Sequence, residues 1–585
     1  MRKLIFIIFF NLSICFNVIA DEQTIWINPS ETDYSRLSTG LAGSNISIID
    51  EEEIEKSKNK TLPEIIANYS GVQLRNLFSN VNSTQTTLDL RGFGESAKNN
   101  SVILLNGRRL NDIDMAGVNF SMVPTNSIKR IELIRGGSAS TIYGDGAIGG
   151  AINIITKNVL DTSTVLKFKA SSHNTYSSDI SVPIKMNDES GVLFSASTSN
   201  SDTYRQRSDF ESENFFIRYN TKNENYDFHI DVNNNSYEQL LPGARYIANL
   251  NGSTPSDTVT CNLLSDSRTT FQKGTWYLQP GECLIRDPDY AKFDIKTLTA
   301  GTNVQVDGST NIFMSVANRD KEQKAFVAGG ASTVGNSTSS DIFNFYKLET
   351  NYLSLRTDHK TFLGDNLTLL SIGFDFQNTD HTKKSSQNPS LAFGGFVYAS
   401  QESRAIFSQN TINLNDGNSI LSFGVRLENA DYKVRELFDN SVSKFAFSTA
   451  RNPYQTKMAN HAINIGIEHI LNNQNRIFAK YAEAFRTPDL DSRNQTCVSS
   501  YNYPCSDPAF FLKDQITDEI EFGIRHNQNN LSLNASIFEM NTLNEIRYLP
   551  EKNNTNLDPI KRRGLNLDIN YALNTKSNIS GSFSY

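Results

Sequence analysis

The chain has 585 residues, with 38% hydrophobic residues, a formal net charge of −8 and a mean hydropathy of −0.41. This length exceeds what one ordinary soluble core supports, so the composition fits either several soluble domains or one large β-barrel. The negative charge offers no broad basic surface for nucleic acid. Beyond the first twenty residues, no stretch approaches the roughly 18 consecutive apolar residues of a transmembrane helix, which excludes a helical membrane protein.

Residues 1–20 have the pattern of a secretory signal peptide. Arg2 and Lys3 precede an apolar run, and Val18 and Ala20 supply the small or β-branched residues before an acidic pair. A membrane anchor has a similar pattern, but polar residues interrupt this run and favour cleavage near Ala20. The sequence therefore predicts an exported protein.

A mixed α/β unit is predicted to follow a polar, flexible lead-in at residues 21–44, which has neither helical nor strand periodicity. The predicted strands of this unit are Ile46–Ile49, Leu88–Arg91 and Val102–Leu105, and its predicted helices are Glu51–Lys56 and Leu62–Asn68. That alternation indicates one compact unit of about a hundred residues.

Beyond residue 160, segments of about ten residues alternate apolar and polar positions. In one of them, Leu565, Ile569 and Tyr571 face one way, whereas Asp568 and Asn570 face the other. One face suits lipid and the other suits water, as in a transmembrane barrel. A soluble β-sandwich also alternates, but lipid tolerates no open sheet edge, so a closed antiparallel β-barrel is favoured.

The connections between these segments are of two kinds. Tight turns such as the one at residues 365–366 alternate with long connections around residues 236–300, 318–345, 378–402, 436–458 and 490–512. Short periplasmic turns and long outer loops are typical of outer-membrane barrels. The pattern therefore predicts a barrel with one long-loop end.

Four cysteines remain after the signal region, and an even number in an oxidising compartment predicts two disulfides. Nearness in sequence favours Cys261 with Cys283 and Cys497 with Cys505, although four cysteines allow three connectivities. Neither pair has C-x-x-C spacing or a histidine at ligand spacing, so we interpret them as loop staples rather than redox or zinc sites. The seven histidines are scattered without a metal-binding motif, so the sequence predicts no metal site, no cofactor and no enzyme.

The stretch Gly144–Gly149 matches the dinucleotide fingerprint G-x-G-x-x-G. That motif needs a strand before it and a helix after it, whereas the β-branched residues Ile152, Ile154 and Ile155 predict a strand afterward. We therefore interpret it as a turn that leads into a strand, not as a phosphate loop.

The segment Leu88–Lys157 resembles the plug domain of TonB-dependent receptors. The resemblance includes Arg91-Gly92, the strand and turn from Leu104 to Arg108, the run from Ile128 to Gly136, and the close from Tyr143 to Lys157. In the barrel, YAEAFRTPDL at residues 481–490, ILSFGVRLE at residues 420–428 and IEFGIR at residues 520–525 resemble strands of the same family. The resemblance of the plug segment implies structural or gating roles for nine of its residues: Arg91, Gly92, Asn106, Gly107, Glu132, Arg135, Gly136, Gly144 and Gly150.

Two of those residues, Glu132 and Arg135, stand three apart in a segment that enters a barrel interior, where ionised groups need partners. The family resemblance implies that they lock the plug to the barrel wall. A structural ion pair within the plug is an equally good interpretation, and the sequence does not decide between them.

Signal-peptide cleavage near Ala20 would leave Gln23–Ile27 close to the N-terminus. This segment resembles the TonB box, with Thr24, Ile25, Trp26 and Ile27 as the residues that TonB would bind. Threonine, isoleucine and tryptophan favour strands, and a free extended segment can add to the sheet edge of a partner. An idle linker is the alternative.

The resemblance implies a receptor in the cell outer membrane that takes up a scarce solute, such as a ferric siderophore or cobalamin. It further implies that the energy for uptake comes from the inner-membrane proton gradient through TonB, ExbB and ExbD. Its other partners would be outer-membrane lipid and the small-molecule or metal-complex ligand, with no nucleic acid, and the receptor is expected to act as a monomer. The alternative is a passive porin or an adhesin. The expected domains are a signal peptide at 1–20, a periplasmic lead-in at 21–44, a plug at 45–157 and a barrel at 158–585.

The family further implies a barrel of the 22-stranded plugged type. The segment from Arg563 to Tyr585 looks like a strand pair that this family follows with further strands, which motivates the hypothesis of a C-terminal truncation. Against it, an aromatic residue such as Tyr585 is a common last residue of these barrels.

Overall fold

A computed structural model of the protein shows a small α/β unit enclosed by a large β-barrel. The structure describes residues 36–39, 41–57, 59–76, 86–114, 117–123, 125–203, 208–241, 289–327, 342–386, 389–415, 417–438, 454–493, 512–528, 530–549, 553–574 and 577–585. The predicted signal peptide, the predicted TonB box and all four cysteines of the predicted disulfides lie outside these residues. None of the helices that the structure describes is both long and apolar enough to cross a membrane.

The N-terminal unit, which we call the plug, contains seven strands and three short α-helices. The strands are β1 (Asn45–Asp50), β2 (Val72–Asn76), β3 (Thr86–Leu90), β4 (Ser101–Leu105), β5 (Arg108–Arg109), β6 (Ile128–Arg135) and β7 (Gly150–Thr156). The helices are α1 (Glu51–Lys56), α2 (Leu62–Ile66) and α3 (Ala139–Tyr143). Single 3-10 turns are present at Arg36–Thr39, Gly94–Asn99, Phe120–Met122, Thr125–Ser127 and Val159–Asp161. The predicted alternation of strands and helices is confirmed.

The plug is organised around one five-stranded sheet with the order β1-β6-β7-β4-β5, beside a separate β2–β3 hairpin. Only the β4–β7 pairing is parallel within this sheet. The centre of the sheet packs into an apolar core, in which Ile131, Leu133 and Ile152 are fully buried together with many other aliphatic side chains. Burial at this density makes the plug a folded unit in its own right.

Local sequence explains where the first two helices begin. Asp50 caps α1 by accepting a hydrogen bond from the Glu53 backbone N–H at 2.9 Å. Thr61 and Glu64 form a capping box at α2, with the Thr61 backbone N–H 2.7 Å from the Glu64 carboxylate. These contacts satisfy donors that a helix N-terminus otherwise leaves unpaired.

The barrel wall contains seventeen of the described strands. They are β8 (Val165–Ser171), β9 (Thr175–Lys185), β10 (Ser190–Ser201), β11 (Phe210–Lys222), β12 (Tyr226–Leu240), β13 (Tyr290–Gln305), β14 (Thr310–Val327), β15 (Ile342–Leu363), β16 (Asn366–Ser386), β17 (Gly395–Leu414), β18 (Ser419–Phe438), β19 (Tyr454–Asn472), β20 (Asn475–Arg486), β21 (Gln515–Gln528), β22 (Leu531–Leu543), β25 (Ile560–Asn574) and β26 (Ser577–Ser584). A small hairpin, β23 (Ile546–Leu549) with β24 (Asn553–Asn556), and the helix α4 (Leu490–Arg493) lie in connections.

The strand count differs from the 22 expected from the family. The described strands close with seventeen, and several of them are much longer than the ten residues that the alternation suggested: β15 has 22 residues and β16 has 21. An odd number of strands in an otherwise antiparallel ring requires one parallel neighbour pair, which is β8 beside β26.

The long connections predicted from sequence are correct in position but wrong in extent. Residues 378–402 were expected to form one loop, yet β16 continues to Ser386 and β17 already begins at Gly395. Strands likewise enter the predicted loops around residues 318–345 and 436–458. The reason is that charged residues on these strand ends face water above the apolar band, so their polarity does not interrupt the pairing.

The two faces of the wall have the predicted character. On β25, Ile569, Tyr571 and Leu573 are exposed on the outer face, whereas Asn566 is 3% exposed on the lumen side. The same alternation places Ile465 and Ile467 of β19 outward and Asn464 inward. An apolar outer face around a polar lumen is the signature of a lipid-embedded barrel.

The plug fills the lumen and contacts most of the circumference. Its side chains or backbone groups hydrogen-bond to fourteen of the described strands of the wall, namely β9, β11, β12, β14, β15, β16, β17, β18, β19, β20, β21, β22, β25 and β26. We call the end of the barrel with turns such as 364–365 the short-turn end, and the opposite end the long-loop end.

Candidate functional site

A buried ionic cluster joins the plug to the wall near its centre. The Arg91 guanidinium lies 2.8 Å from Glu519 and 2.6 Å from Glu521, and the Lys480 ammonium lies 3.0 Å from Glu521. All four side chains are at most 1% exposed. Two cations thus balance two carboxylates away from water, where removal of one partner is costly. The sequence pointed to Arg91 alone, because its partners Glu519 and Glu521 lie far along the chain on β21.

Arg91 is held over the wall by its backbone and by an aromatic ring. Its φ of +71° is in the left-handed region, and the next residue, Gly92, has a φ of +76°. This turn aims the guanidinium at the wall, where it lies 3.8 Å from the centre of the Phe538 ring. A cation in that position gains further stabilisation from the ring face.

Arg135 and Glu132 do not pair with each other. Both lie on β6, where positions three apart point to opposite faces of the sheet. Arg135 crosses to the wall and lies 3.3 Å from Asp568, while Glu132 stays inside the plug with Arg130 at 2.8 Å and Asn153 at 2.9 Å. The alternative of an ion pair between them within the plug is therefore wrong, and Arg135 makes a contact with the wall.

The predicted glycines lie at turns or close approaches. A Cβ on Gly136 would lie 2.1 Å from a Glu519 oxygen, and one on Gly144 would lie 2.4 Å from a Glu428 oxygen. Both residues also have positive φ, so no other residue fits easily. Gly150 approaches the backbone of Ile134 within the sheet. The interpretation of Gly144–Gly149 as a turn is confirmed, since it follows α3 and leads into β7.

Asn106 and Gly107 form the turn of the β4–β5 hairpin, with φ values of +50° and +78°. The Gly107 backbone N–H donates to Asn153 at 2.9 Å, which ties the turn to the neighbouring strand β7. The following residues, Arg108 and Arg109, pair with Leu105 and Leu104. The hairpin thus presents two arginines to opposite sides of the plug sheet.

The stretch predicted as a flexible lead-in is buried where the structure describes it. Arg36 is 6% exposed, and it donates to Tyr352 at 3.0 Å, to Ser354 at 2.9 Å and to both oxygens of Asp375 at 2.6 and 2.8 Å. Leu37 is fully buried against the plug. Burial alone would lower the pKa of Arg36, but the Asp375 carboxylate outweighs it and raises the pKa above its ordinary value. Nothing in the sequence signalled this anchor.

A second set of polar contacts holds the plug near the long-loop end. Asp112 binds the side chains of Arg319 and Lys321, with the Lys321 ammonium at 2.5 Å. Asp145 accepts hydrogen bonds from the backbone N–H of Thr487 at 2.6 Å and from its hydroxyl at 2.8 Å. Burial raises the pKa of Asp145, although Arg109 and Thr487 oppose it. Thr487 belongs to the stretch YAEAFRTPDL at residues 481–490, and here it contacts the plug.

Small cavities lie between the plug and the wall. One is a cleft of about 90 Å³ on the long-loop side, lined by polar groups that include Arg109, Asp145 and Arg486. A second, of about 30 Å³, is lined by β14 and β15, and a third, of about 20 Å³, is lined by residues that include Asp112, Tyr237 and Lys321. Arg36, Gly107 and Tyr352 line both the first and the second cavity, so these three residues separate them.

No group of three or more metal-ligating side chains occurs among the residues that the structure describes. His461 and His469 lie on β19, with His461 55% exposed and 2.7 Å from Glu483. These positions are on the outer wall. They therefore take no part in the plug interface.

Comparison with known protein families decides the class of this chain. Residues 41–151 match the TonB-dependent receptor plug domain, and residues 161–585 match the TonB dependent receptor-like β-barrel. The chain belongs to the TonB-dependent receptor family. This family consists of transport receptors.

Individual TonB-dependent receptors are similar over shorter stretches. The vitamin B12 transporter BtuB of Photobacterium profundum is 35% identical over 111 residues, which are 19% of this chain and 17% of the relative. A ferric enterobactin receptor of Pseudomonas aeruginosa is 34% identical over 124 residues, which are 19% of this chain and 16% of the relative. The matched stretches therefore span less than a fifth of the length of these curated relatives.

Solved structures of TonB-dependent receptors share the fold across nearly the whole chain. The unliganded ferric citrate transporter FecA superposes with a TM-score of 0.71 at 14% identity, covering 94% of this chain and 79% of that one. The closed form of the ferric-catecholate import receptor Fiu of E. coli gives 0.69 at 16% identity, covering 93% and 80%. At such identities the likeness concerns the fold alone.

Proposed function

We propose that this TonB-dependent receptor takes up a scarce metal complex, a ferric siderophore or cobalamin, across the outer membrane. The observation that carries the proposal is a closed barrel whose lumen is filled by a folded plug, with a polar cleft between plug and wall. A solute can cross such a barrel only if the plug rearranges, so uptake requires an energy input. The relatives named for vitamin B12 and ferric enterobactin support the choice of solute class.

The proposal includes an orientation. The N-terminal residues 1–20 act as a signal peptide, the long-loop end faces outward, and the lead-in faces the periplasm, where Thr24, Ile25, Trp26 and Ile27 bind TonB. TonB receives energy from the inner-membrane proton gradient through ExbB and ExbD, and the receptor acts as a monomer. The positions of the cleft on the long-loop side and of residue 36 inside the lumen support this orientation.

Arg36 is the element through which the two ends communicate. Its guanidinium bridges the Ile142 carbonyl of the plug and the Asp375 carboxylate of the wall, about ten residues after the proposed TonB box. A pulling force applied to that box therefore reaches the contacts of Arg36 before it reaches the apolar core of the plug. Ligand that binds in the cleft meets the same arginine, because Arg36 lines the cleft. Two sites that share a bistable contact are coupled in free energy.

A passive porin or an adhesin is not favoured, because neither function requires a folded plug inside the lumen. In the described residues the plug contacts strands on every side of the wall, and its interface contains buried charges with partners on both bodies. A porin needs a water-filled lumen.

Growth and binding assays test the proposal. The gene is reintroduced into a strain from which it has been deleted. With cobalamin as the sole source of this vitamin, or a ferric siderophore as the sole source of iron, the strain is expected to grow only when TonB is present. Ile25→Pro should abolish binding to the periplasmic domain of TonB, because proline cannot donate to a sheet edge, while Ile25→Val should bind normally. Growth without TonB would overturn the proposed function, and unchanged binding of Ile25→Pro would overturn the role of the box.

A further inference from the structure

Arg486, the last residue of β20, has a buried donor that its ion pair does not satisfy. The residue is 3% exposed, and its Nη2 donates to Asp489 at 2.8 Å. Its Nη1 is buried and forms no hydrogen bond with any group that the structure describes. Asp489 already accepts four hydrogen bonds, from Asn99, from Arg486 and twice from Ser492, and a carboxylate offers only about four acceptor sites. The Nη1 group therefore needs another acceptor.

Ser101, the first residue of β4, has a second donor of this kind on the plug side. It is 2% exposed, and its hydroxyl likewise has no hydrogen-bond partner within the described part of the chain. Asn99, two residues earlier, and Arg486 bind the same oxygen of Asp489, at 2.7 and 2.8 Å, so the start of β4 lies beside Arg486. Both Ser101 and Arg486 line the cleft of about 90 Å³, one from the plug and the other from the wall.

The lining of this cleft favours an uncharged acceptor. It has five cationic side chains and five carboxylates, so its fixed charges cancel. Among the buried side-chain atoms of the lining that the structure describes, only Arg486 Nη1 and the Ser101 hydroxyl lack a hydrogen-bond partner, and both can donate. A water molecule needs roughly 10–15 Å³ of such space. The cleft thus has room for one small polar group at the edge of a larger solute.

We propose that Arg486 Nη1 and the Ser101 hydroxyl together bind an amide carbonyl oxygen of the transported solute. This inference rests on the proposed function and specifies the solute group that the cleft recognises. A carbonyl oxygen has two lone pairs, so it can accept from both donors at once. It adds no charge, whereas a carboxylate would leave an unbalanced buried charge in the cleft. The bound group joins a plug residue to a wall residue and so stabilises the contact between the two bodies.

Hydrogen exchange of the full-length receptor in detergent tests this site, with acetamide as the probe. Three backbone hydrogen bonds join plug and wall beside Arg486, and their donors are the amides of Gly146, Thr487 and Leu490, at 3.1, 2.6 and 2.8 Å from their acceptors. Only the closed contact binds the probe, so exchange of these amides should slow about twofold at an acetamide concentration equal to its Kd, and further above it. Absence of a concentration-dependent slowing in the wild type would overturn the inference.

Ser101→Ala separates binding from structure. Exchange without acetamide should not change, because the hydroxyl has no partner to lose, whereas acetamide should bind about three- to tenfold more weakly, which is the contribution of one hydrogen bond. The matched control is Ser138→Ala, since Ser138 is also fully buried with an unpartnered hydroxyl among the described residues but does not line the cleft. Acetamide should bind this variant as it binds the wild type. Equal effects of the two substitutions would overturn the site.

Arg486→Lys tests the wall side. Lysine keeps a cation beside Asp489 but has no second nitrogen, so most of the protection by acetamide should be lost. Arg562→Lys is the control, because Arg562 also has a buried Nη1 without a described partner and an ion pair, with Glu545 at 2.7 Å, but lies outside the cleft lining. Protection that persists unchanged in Arg486→Lys would overturn the role of Arg486.

Sodium acetate, compared with acetamide at equal concentration and with chloride keeping the ionic strength constant, distinguishes a carboxylate from an amide. Acetate should protect less, and stronger protection by acetate would overturn the assignment of an uncharged group. The growth assay is independent of these measurements. Uptake without acetamide protection would overturn this inference alone, whereas protection without uptake would overturn the proposed function alone.

Discussion

The interior of the plug is mostly apolar, whereas the surface where it meets the wall combines buried ion pairs with apolar contacts such as Phe93 and Ile148 against Met540. In the interior, Ile131, Leu133 and Ile152 are completely buried among other apolar groups. At the wall, charged groups such as Arg91 and Glu521 are just as buried but paired across the two bodies. Apolar burial is lost whenever water enters, whereas ions and hydrogen-bonding groups can exchange their partners for water. We therefore expect the plug to separate from the wall at a lower free-energy cost than it unfolds.

The largest effect is expected from Glu521→Gln, which leaves Arg91 and Lys480 short of one carboxylate. Loss of one partner of a buried ion pair costs about 3–5 kcal/mol, and here that cost lowers the free energy that holds the plug against the wall. The measurement is the urea concentration at which plug residues become accessible to a protease while the barrel remains folded.

The matched control is Glu539→Gln, since Glu539 also binds two cations, Lys561 and Arg563, both at 2.7 Å, but on the exposed outer face. Little change is expected there, because solvent screens such pairs. Equal effects of the two substitutions would contradict the view that burial makes the difference.

A smaller effect of about 3 kcal/mol is expected from Leu133→Ala, which opens a cavity at the centre of β6. This loss should appear in the unfolding of the plug itself, measured by hydrogen exchange of the β6 and β7 amides, and not in its release from the wall. Ile48→Ala is the control, because Ile48 on the neighbouring strand β1 is 37% exposed. If Leu133→Ala changed release but not internal exchange, the separation of core and interface would be wrong.

The smallest effect is a pH dependence at the long-loop contact. Burial alone would raise the pKa of Asp112, but Arg319 and Lys321 prevail and hold it below its ordinary value. A carboxyl with a lowered folded pKa contributes stability above its unfolded pKa of about 3.9 and loses it as the pH falls through the folded pKa. Between pH 7 and pH 4 the Asp112 carboxylate stays ionised, so the protection of the amides from Leu110 to Asp114 against hydrogen exchange should not change through Asp112. Below pH 4 the carboxylate becomes protonated, and exchange of these amides should accelerate. In Asp112→Asn that acid step should be absent.

Sequence reasoning predicted the fold because its signals are local. Helix caps, glycine turns and the two-residue alternation of the wall strands are each set within a few positions, so β1, α1 and the outer face of β25 are as expected. The partners of Arg91 and Arg135 are 350 or more positions away, and no local pattern can indicate them. Arg36 was missed for the same reason: a single arginine in a polar stretch carries no sign of the aspartate that it meets.

The uneven length of the wall strands has a consequence for the surrounding bilayer. β15 has 22 residues but β8 has only 7. A membrane strand needs roughly 9–11 tilted residues to cross the hydrocarbon core, so in the proposed outer-membrane location β8 is too short. Lipid beside β8 must therefore thin or tilt to cover it, at a modest cost per ångström of mismatch. The receptor would carry a fixed patch of compressed membrane along one side, opposite the tall strands that rise beyond the bilayer.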